Sequence, residues 1–108
     1  MDLETLLTGT KWDIIELLAQ SKFSPSELAK KLNTTIANIS QQLRLLQTAG
    51  LIKKKRTGSG KPGKPRMLFS LSNNYAFVIV FSDGFSEKKL VSISDKERTV
   101  LKQMMEAN

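Results

Sequence analysis

The side chains of this sequence that are best suited to specific polar contacts lie between Thr34 and Arg44. Asparagine and glutamine can form two hydrogen bonds with an adenine edge, arginine can do so with guanine, and alanine can contact a thymine methyl group. Hydroxyl and backbone N–H groups at the start of a helix can hold a phosphate, which suits Thr34 and Thr35. The candidates for contacts with base edges are Ala37, Asn38, Ser40, Gln41, Gln42 and Arg44.

The sequence contains few side chains that could catalyse a reaction or bind a metal ion. The sequence has no cysteine and no histidine, which removes the thiolate nucleophile, the usual general base and the commonest metal ligands. Asp83, Glu87 and Asp95 can be imagined as an oxygen-ligand metal site. Acidic residues are, however, expected in a turn and at a helix start for local reasons. We therefore predict no enzyme, no catalytic residue, no metal site and no cofactor.

The positive charge of the chain is concentrated in its middle. The net charge of the 108 residues is +7. Residues 1–27 carry −3 and residues 83–108 are balanced, whereas residues 28–82 contain ten basic residues and no acidic one. A surface kept basic only for solubility would mix both signs. The pattern favours a face that binds a polyanion, with nucleic acid ahead of an anionic membrane.

Two short helices joined by a polar turn are predicted to position the candidate residues. Residues 24–27 have the order of a capping box with proline at the first helical position, so a helix starts there. Thr35 can cap a second helix over residues 36–49, and Gly50 ends it. Helical periodicity assigns its buried stripe and turns the polar candidates outward; the stripe is Ile36, Ile39, Leu43 and Leu46. An earlier helix, from Thr10 or Lys11 to Gln20, is expected to bury Trp12, Ile15, Leu18 and Ala19, with Ile14 and Leu17 widening the face.

A basic β-hairpin is predicted after these helices. Residues 51–57 and 67–72 have strand patterns, and the loop 58–66 between them is rich in glycine, proline and basic residues. Such a loop cannot pack on a core; a flexible linker is the alternative interpretation. The basic side chains expected to follow a DNA backbone or minor groove are Lys53, Lys55, Arg56, Lys61, Lys64 and Arg66, although a strand presents only some of residues 53–56 on one side.

The remaining segments are predicted to form a second hairpin and two outlying helices. Residues 75–81 and 89–94 predict strands around a turn at 82–84, and Trp12, Tyr75, Phe77 and Phe81 are expected in the core rather than in a ligand pocket. The helices 1–8 and 95–107 carry apolar stripes outside the core. We expect these stripes to form a homodimer interface, with completion of a monomer core as the alternative; their residues are Leu3, Leu6, Leu7, Val100, Leu101, Met104 and Met105.

Residues 23–72, and residues 24–56 most strongly, resemble the winged helix-turn-helix transcriptional regulators of the ArsR type and, more loosely, of the MarR type. The resemblance rests on a capped helix ending in Glu-Leu-Ala, a polar turn, and a second helix whose matching residues are Thr35, Ile39, Ser40, Leu43, Leu46, Ala49, Gly50, Leu51 and Ile52. The wing GKPGKPRMLFSL looks like that of many archaeal members. Two features depart from the pattern: the metal-sensing cysteines are absent, which excludes thiolate sensing, and the hairpin at 75–94 is longer than usual.

These observations predict an α+β fold in a single domain, residues 1–108: a winged-helix core at 10–72, an extra hairpin at 75–94 and a terminal helix. The resemblance implies a sequence-specific regulator that binds double-stranded DNA as a dimeric repressor. We expect it in the cytoplasm, associated with the nucleoid, without a membrane partner. A winged helix that binds protein or RNA within a transcription or replication complex remains the alternative. The sequence does not identify an effector ligand.

Overall fold

The computed structural model describes residues 8–58 and 66–107 and divides the chain into two compact units, Met1–Ser72 and Asn73–Asn108. Several predicted features lie outside the described residues. They are the helix at 1–7 with Leu3, Leu6 and Leu7, and the tip of the first hairpin with Lys61 and Lys64. Within the described ranges, no helix is long and apolar enough to cross a membrane.

The first unit consists of three helices followed by an antiparallel hairpin. The helices are α1 (Gly9–Gln20), α2 (Pro25–Lys31) and α3 (Ile36–Thr48), and the strands are β1 (Ile52–Thr57) and β2 (Arg66–Leu71). The strands pair from Ile52 opposite Leu71 to Thr57 opposite Arg66. Phe23 forms an isolated antiparallel bridge with β2, because its N–H and C=O both bond to the backbone of Phe69, at 3.2 and 2.8 Å. This arrangement is the predicted α+β winged helix.

Local hydrogen bonds determine where the two central helices begin and end. At the start of α2 the Ser24 hydroxyl accepts from the Glu27 N–H at 3.2 Å, and the Glu27 carboxylate accepts from the Ser24 N–H at 3.0 Å. Both helices end in a Schellman motif, in which a left-handed residue reverses the chain. That residue is Asn33 after α2, with φ 52°, and Gly50 after α3, with φ 81°. The predicted capping box and stop are confirmed.

The core of the first unit lies between the three helices and the hairpin. Its buried apolar residues include Ile14, Leu18, Leu28, Ala29, Ile39, Leu43, Leu46 and Phe69. Two predictions about this core are wrong. Trp12 and Ala19 are exposed because the buried side of α1 is centred on Ile14 and Leu18, which the predicted face also includes. Ile36 is 54% exposed because it stands in the first turn of α3, at the edge of the covered face.

The second unit is a long hairpin followed by a helix. Strands β3 (Asn74–Ser82) and β4 (Phe85–Ile93) pair antiparallel around a two-residue turn, and helix α4 spans Asp95–Ala107. Gly84 is the second central residue of that turn and has φ 76°, the conformation that a type II turn requires at this position. Ser94 and Glu97 form a second reciprocal cap, at 2.9 and 3.1 Å.

The second unit has little core of its own. None of the described residues of β3, β4 or α4 is buried. The prediction that Phe81 is a core residue is therefore wrong: it is 85% exposed. Tyr75 and Phe77 are half-buried. An open groove of about 390 Å³ separates the hairpin from α4, lined by Ala76, Val78, Val91, Ile93, Val100 and Leu101 together with Lys96 and Glu97.

Candidate nucleic-acid interface

The second helix of the helix-turn-helix presents a row of exposed side chains. Thr35 caps α3 by accepting the Asn38 N–H at 3.1 Å, and this fixes the helix from its first turn. The side chains of Ala37, Gln41 and Arg44 are all exposed, at spacings of four and three residues. Residues at these spacings lie on one side of a helix. The row lies opposite Ile39, Leu43 and Leu46, which anchor the helix in the core.

Asn38 and Gln42 lie at the flank of this row instead of at its centre. Both are half-buried, and both take part in a chain of side-chain hydrogen bonds. The Asn38 amide donates to the Thr34 hydroxyl at 3.0 Å, and the Gln42 amide donates to the Asn38 carbonyl at 3.2 Å. The Gln42 Oε1 atom is buried and has no hydrogen-bond partner among the described residues. These two amides are thus oriented by contacts within the protein, whereas the amide of Gln41 is exposed.

Two further α3 residues border the exposed row. Ser40 is half-buried, as its predicted place at the border implies. Ile36 was assigned to the core by periodicity, yet its exposed side chain stands in the first turn of α3. An apolar group at this end of a recognition helix can contact a thymine methyl group. The sequence contained a sign of this exposure: Ile36 directly follows the capping residue Thr35, and residues in the first turn of a helix can extend beyond its packed face.

Arg66 forms an ion pair across the first unit. Its guanidinium donates to the carboxylate of Glu27, the residue that also completes the α2 capping box. Hydrogen bonds from the backbone and side chain of Ser24, followed by the Arg66 charge, lower the pKa of the Glu27 carboxyl, with desolvation opposing them in part. The Arg66 side chain remains 56% exposed. The Arg66 side chain therefore links the start of β2 to the start of α2. A phosphate group that binds Arg66 would compete with Glu27 for its guanidinium group.

The basic residues of β1 divide between the two faces of the hairpin. All of Lys53, Lys54, Lys55 and Arg56 are exposed. Lys53 and Lys55 lie opposite Ser70 and Leu68, whereas Lys54 is paired with the buried Phe69 and Arg56 with Met67. Side chains directly opposite each other share a face of the sheet. Lys53 and Lys55 therefore form one basic pair, and Arg56 lies on the other side with Lys54.

The described residues hold no group of three or more histidine, cysteine, aspartate or glutamate side chains arranged to bind a metal ion. Asp83, Glu87 and Asp95 do not form such a group. Asp95 instead accepts from the Asn74 amide at 2.8 Å, next to the start of α4.

Comparisons with known proteins point to the same segment. Residues 8–54 match the model of the family described as bacterial regulatory protein, arsR family. No curated protein sequence matches the chain.

Among solved structures, the chain is similar to ZitR of Lactococcus lactis bound to DNA, with 32% identity and a TM-score of 0.52 over 60% of this chain and 42% of that one. It is also similar to AdcR of Streptococcus pyogenes, with 23% identity and a TM-score of 0.54 over 59% of this chain and 46% of that one. A third match is a possible transcriptional regulatory protein of Mycobacterium bovis, with 24% identity and a TM-score of 0.53 over 63% and 67%.

These matches agree with the observed architecture. The chain spans less than half the length of AdcR and ZitR. The similarity to AdcR and to the Mycobacterium bovis protein concerns the fold. The segment that matches the arsR family model contains the capped helix α2, the turn and all of α3. The chain is thus a winged-helix protein whose residues 8–54 match the helix-turn-helix of the ArsR family of bacterial regulatory proteins.

Proposed function

We propose that this protein is a transcriptional regulator that binds double-stranded DNA sequence-specifically, as a dimeric repressor. Helix α3 enters the major groove, and the wing at residues 57–66 follows the backbone and the adjacent minor groove. The observation that carries the proposal is the exposed row of Ala37, Gln41 and Arg44 on a helix held by a packed core. These side chains can read a thymine methyl group, an adenine and a guanine, respectively.

The charge distribution supports contact with the phosphate backbone. All ten charged residues between positions 28 and 82 are basic, and Lys53 and Lys55 share an exposed face of the hairpin. Thr34 and Thr35 stand at the N-terminus of α3, where backbone N–H groups favour an anion. The structure of ZitR, which is 32% identical over 60% of this chain, is of a complex with DNA. A protein- or RNA-binding winged helix has no comparable support.

A two-fold dimer supplies the second half of the proposed site. Two recognition helices related by a two-fold axis can contact half-sites one DNA turn apart. The apolar residues proposed for the interface include Leu3, Leu6 and Leu7 in the N-terminal segment. In α4 the proposed residues Val100, Met104 and Met105 are exposed, and Leu101 is half-buried. A monomeric mass by light scattering at micromolar concentration would contradict the dimer.

Selection of bound duplexes from a random pool tests the proposed function directly. We expect enrichment of a short inverted repeat whose half-sites are about 10 base pairs apart, centre to centre. The selection is repeated with the Gln41→Ala variant, which should enrich a sequence altered at one position of each half-site. Recovery of unrelated duplexes by the wild type, with equal affinity for random RNA, would contradict the proposal.

A further inference from the structure

The two strands of the second hairpin differ in how their outer edges are protected. No residue of β3 is charged between Asn74 and Ser82, whereas β4 carries Glu87, Lys88 and Lys89 near its middle. Soluble proteins protect exposed strand edges with charged side chains, because an open edge pairs with other strands. The β4 edge has this protection, and the β3 edge does not.

The turn determines which backbone groups β3 directs outward. Ser82 and Phe85 are partners on either side of the two-residue turn, and the residues that flank such a turn form a hydrogen-bonded pair. Hydrogen-bonded and non-hydrogen-bonded pairs alternate along an antiparallel ladder. The N–H and C=O groups of Phe77, Ile79 and Phe81 therefore point away from β4. Among the described residues, β3 has no strand neighbour other than β4.

The sequence of β3 is nearly symmetric about its central residue. Residues at equal distances on either side of Val78 are similar in type. From the centre outward, these pairs are Phe77 with Ile79 (both large and apolar), Ala76 with Val80 (both aliphatic), Tyr75 with Phe81 (both aromatic) and Asn74 with Ser82 (both polar). Two antiparallel copies of such a strand place similar residues opposite each other. Aromatic and β-branched pairs of this kind stabilise a sheet.

We propose that β3 pairs antiparallel with β3 of a second copy, about a two-fold axis at Val78. This inference rests on the dimer of the proposed function and adds the edge of β3 to the interface proposed there. The product is a four-stranded sheet in the order β4, β3, β3, β4, in which Phe77 and Ile79 of opposite copies form hydrogen-bonded pairs. In this register, even-numbered residues of one copy lie opposite even-numbered residues of the other, and odd-numbered opposite odd-numbered. Each face of one hairpin therefore continues into the equivalent face of the other. The charged β4 strands form both outer edges, so the assembly closes at two copies.

The strand proposed to pair carries exposed apolar side chains of its own. On β3, Val78 is 37% exposed, Ile79 54% and Phe81 85%. A second β3 strand would cover part of this apolar surface, which is the usual reason for an exposed apolar patch.

Single cysteines test the pairing and its register, because the chain has no cysteine of its own. Val78 meets its counterpart as a non-hydrogen-bonded pair, with a Cα–Cα distance of about 4.5 Å, within the range of a disulfide. Oxidised Val78→Cys should run as a covalent dimer on a non-reducing gel. The matched control is Val80→Cys on the same face, whose two copies are four positions, or roughly 13 Å, apart. It should stay monomeric on the gel, but should cross-link when mixed with Ala76→Cys chains.

A proline on either edge provides an independent measurement in solution. The Ile79→Pro variant removes an outward N–H of β3 and no hydrogen bond within the hairpin, so it should sediment as a monomer. The matched control Ser86→Pro alters the outward edge of β4 and should remain a dimer. Far-UV circular dichroism tests whether each variant retains the hairpin. If the Ile79→Pro variant loses the hairpin, the cross-linking of the cysteine variants tests the pairing instead.

The outcomes separate this inference from the function on which it rests. If the wild type is a dimer but Val78→Cys cross-links no faster than Val80→Cys, the β3 pairing is wrong and the dimer forms elsewhere. A monomeric wild type that still prefers one duplex sequence contradicts both the dimer and the pairing, but not DNA recognition. Cross-linking of Val78→Cys in a protein without duplex preference supports the pairing and contradicts the proposed function.

Discussion

Among the residues of α3, Gln41 has the best combination of exposure and chemistry for reading a base. Its neighbours Asn38 and Gln42 are joined to each other and to Thr34 by hydrogen bonds, so their amides must give up a partner to meet a base. Gln41 is exposed in the middle of the row formed by Ala37 and Arg44. Sequence specificity should therefore depend on Gln41 more than on either flanking amide.

The Gln41→Ala variant should lose sequence preference while keeping its general affinity. A bidentate base contact contributes about 1–3 kcal/mol of discrimination, so the affinity ratio between the selected and a scrambled duplex should fall about 5- to 150-fold. Fluorescence anisotropy with both duplexes measures the ratio. The matched control is Gln20→Ala, which removes an exposed glutamine at the end of α1. An unchanged ratio for Gln41→Ala would remove this residue from the recognition surface.

The Lys64→Ala variant should show the reverse behaviour. Lys64 belongs to the proposed wing and is assigned to phosphate, which carries no base sequence. Its loss should weaken binding to the selected and the scrambled duplex by the same factor, and should reduce the salt dependence by about one unit of log–log slope. The same anisotropy titrations, repeated at several salt concentrations, measure both effects. Identical profiles for Lys64→Ala and Gln41→Ala would contradict both assignments.

Local hydrogen bonds explain why most elements could be predicted from the sequence. The caps at Ser24, Thr35 and Ser94 join residues three positions apart, and the turn at Asp83 and Gly84 depends on its own two residues. Such signals are complete within a few positions of the chain. The predicted starts of α2 and α3 are accordingly confirmed to the residue, and of the two candidates for the cap of α4, Ser94 and Asp95, the structure has Ser94.

The features that could not be predicted depend on tertiary packing. Periodicity gives the direction of a side chain on a helix but not the width of the covered face, and so Ile36 and Trp12 were wrongly assigned to the core. The ion pair of Arg66 with Glu27 joins residues 39 positions apart. The hydrogen bonds that join the side chains of Thr34, Asn38 and Gln42 could have been predicted from the sequence, because residues four apart on a helix are neighbours.

The link between α2 and β2 makes the stability of the first unit sensitive to acid. The lowered pKa of Glu27 means that its charged form is favoured by folding. Its contribution is therefore complete above the ordinary pKa of about 4.5 and is lost as the pH falls through the lower, folded-state pKa. Glu27→Gln should reduce the free energy of unfolding at pH 7 by about 0.5–1 kcal/mol, as expected for a helix-start charge and an exposed ion pair.

Urea denaturation at pH 7 and at several values below pH 4.5 measures this effect. The difference between wild type and Glu27→Gln should shrink as the pH falls, because Glu27 becomes neutral, as the glutamine already is. Glu16→Gln is the matched control, since Glu16 lies exposed on α1 outside any cap. A difference that stays constant down to the lowest pH would show that the charge of Glu27 does not stabilise the fold.

At the scale of the whole molecule, the proposed function divides the chain by task. The first unit contains the packed core, the exposed α3 row and the basic hairpin. The second contains apolar surface without a buried residue, as expected for a part that completes its core against another copy. Recognition and assembly would then be separable by mutation.

The salt dependence of DNA binding measures how the two tasks combine. If each subunit neutralises about four to six phosphates, a dimer should bind with a log–log slope on the order of −7 to −11. A variant that cannot dimerise, such as Ile79→Pro, should bind as single subunits with about half that slope, because each binding event then releases half the counterions. Its preference for the selected half-site over a scrambled one should persist, since α3 is unchanged. Anisotropy titrations between about 50 and 200 mM salt distinguish the cases. A wild-type slope no steeper than that of the monomeric variant would mean that only one subunit of the dimer contacts the duplex.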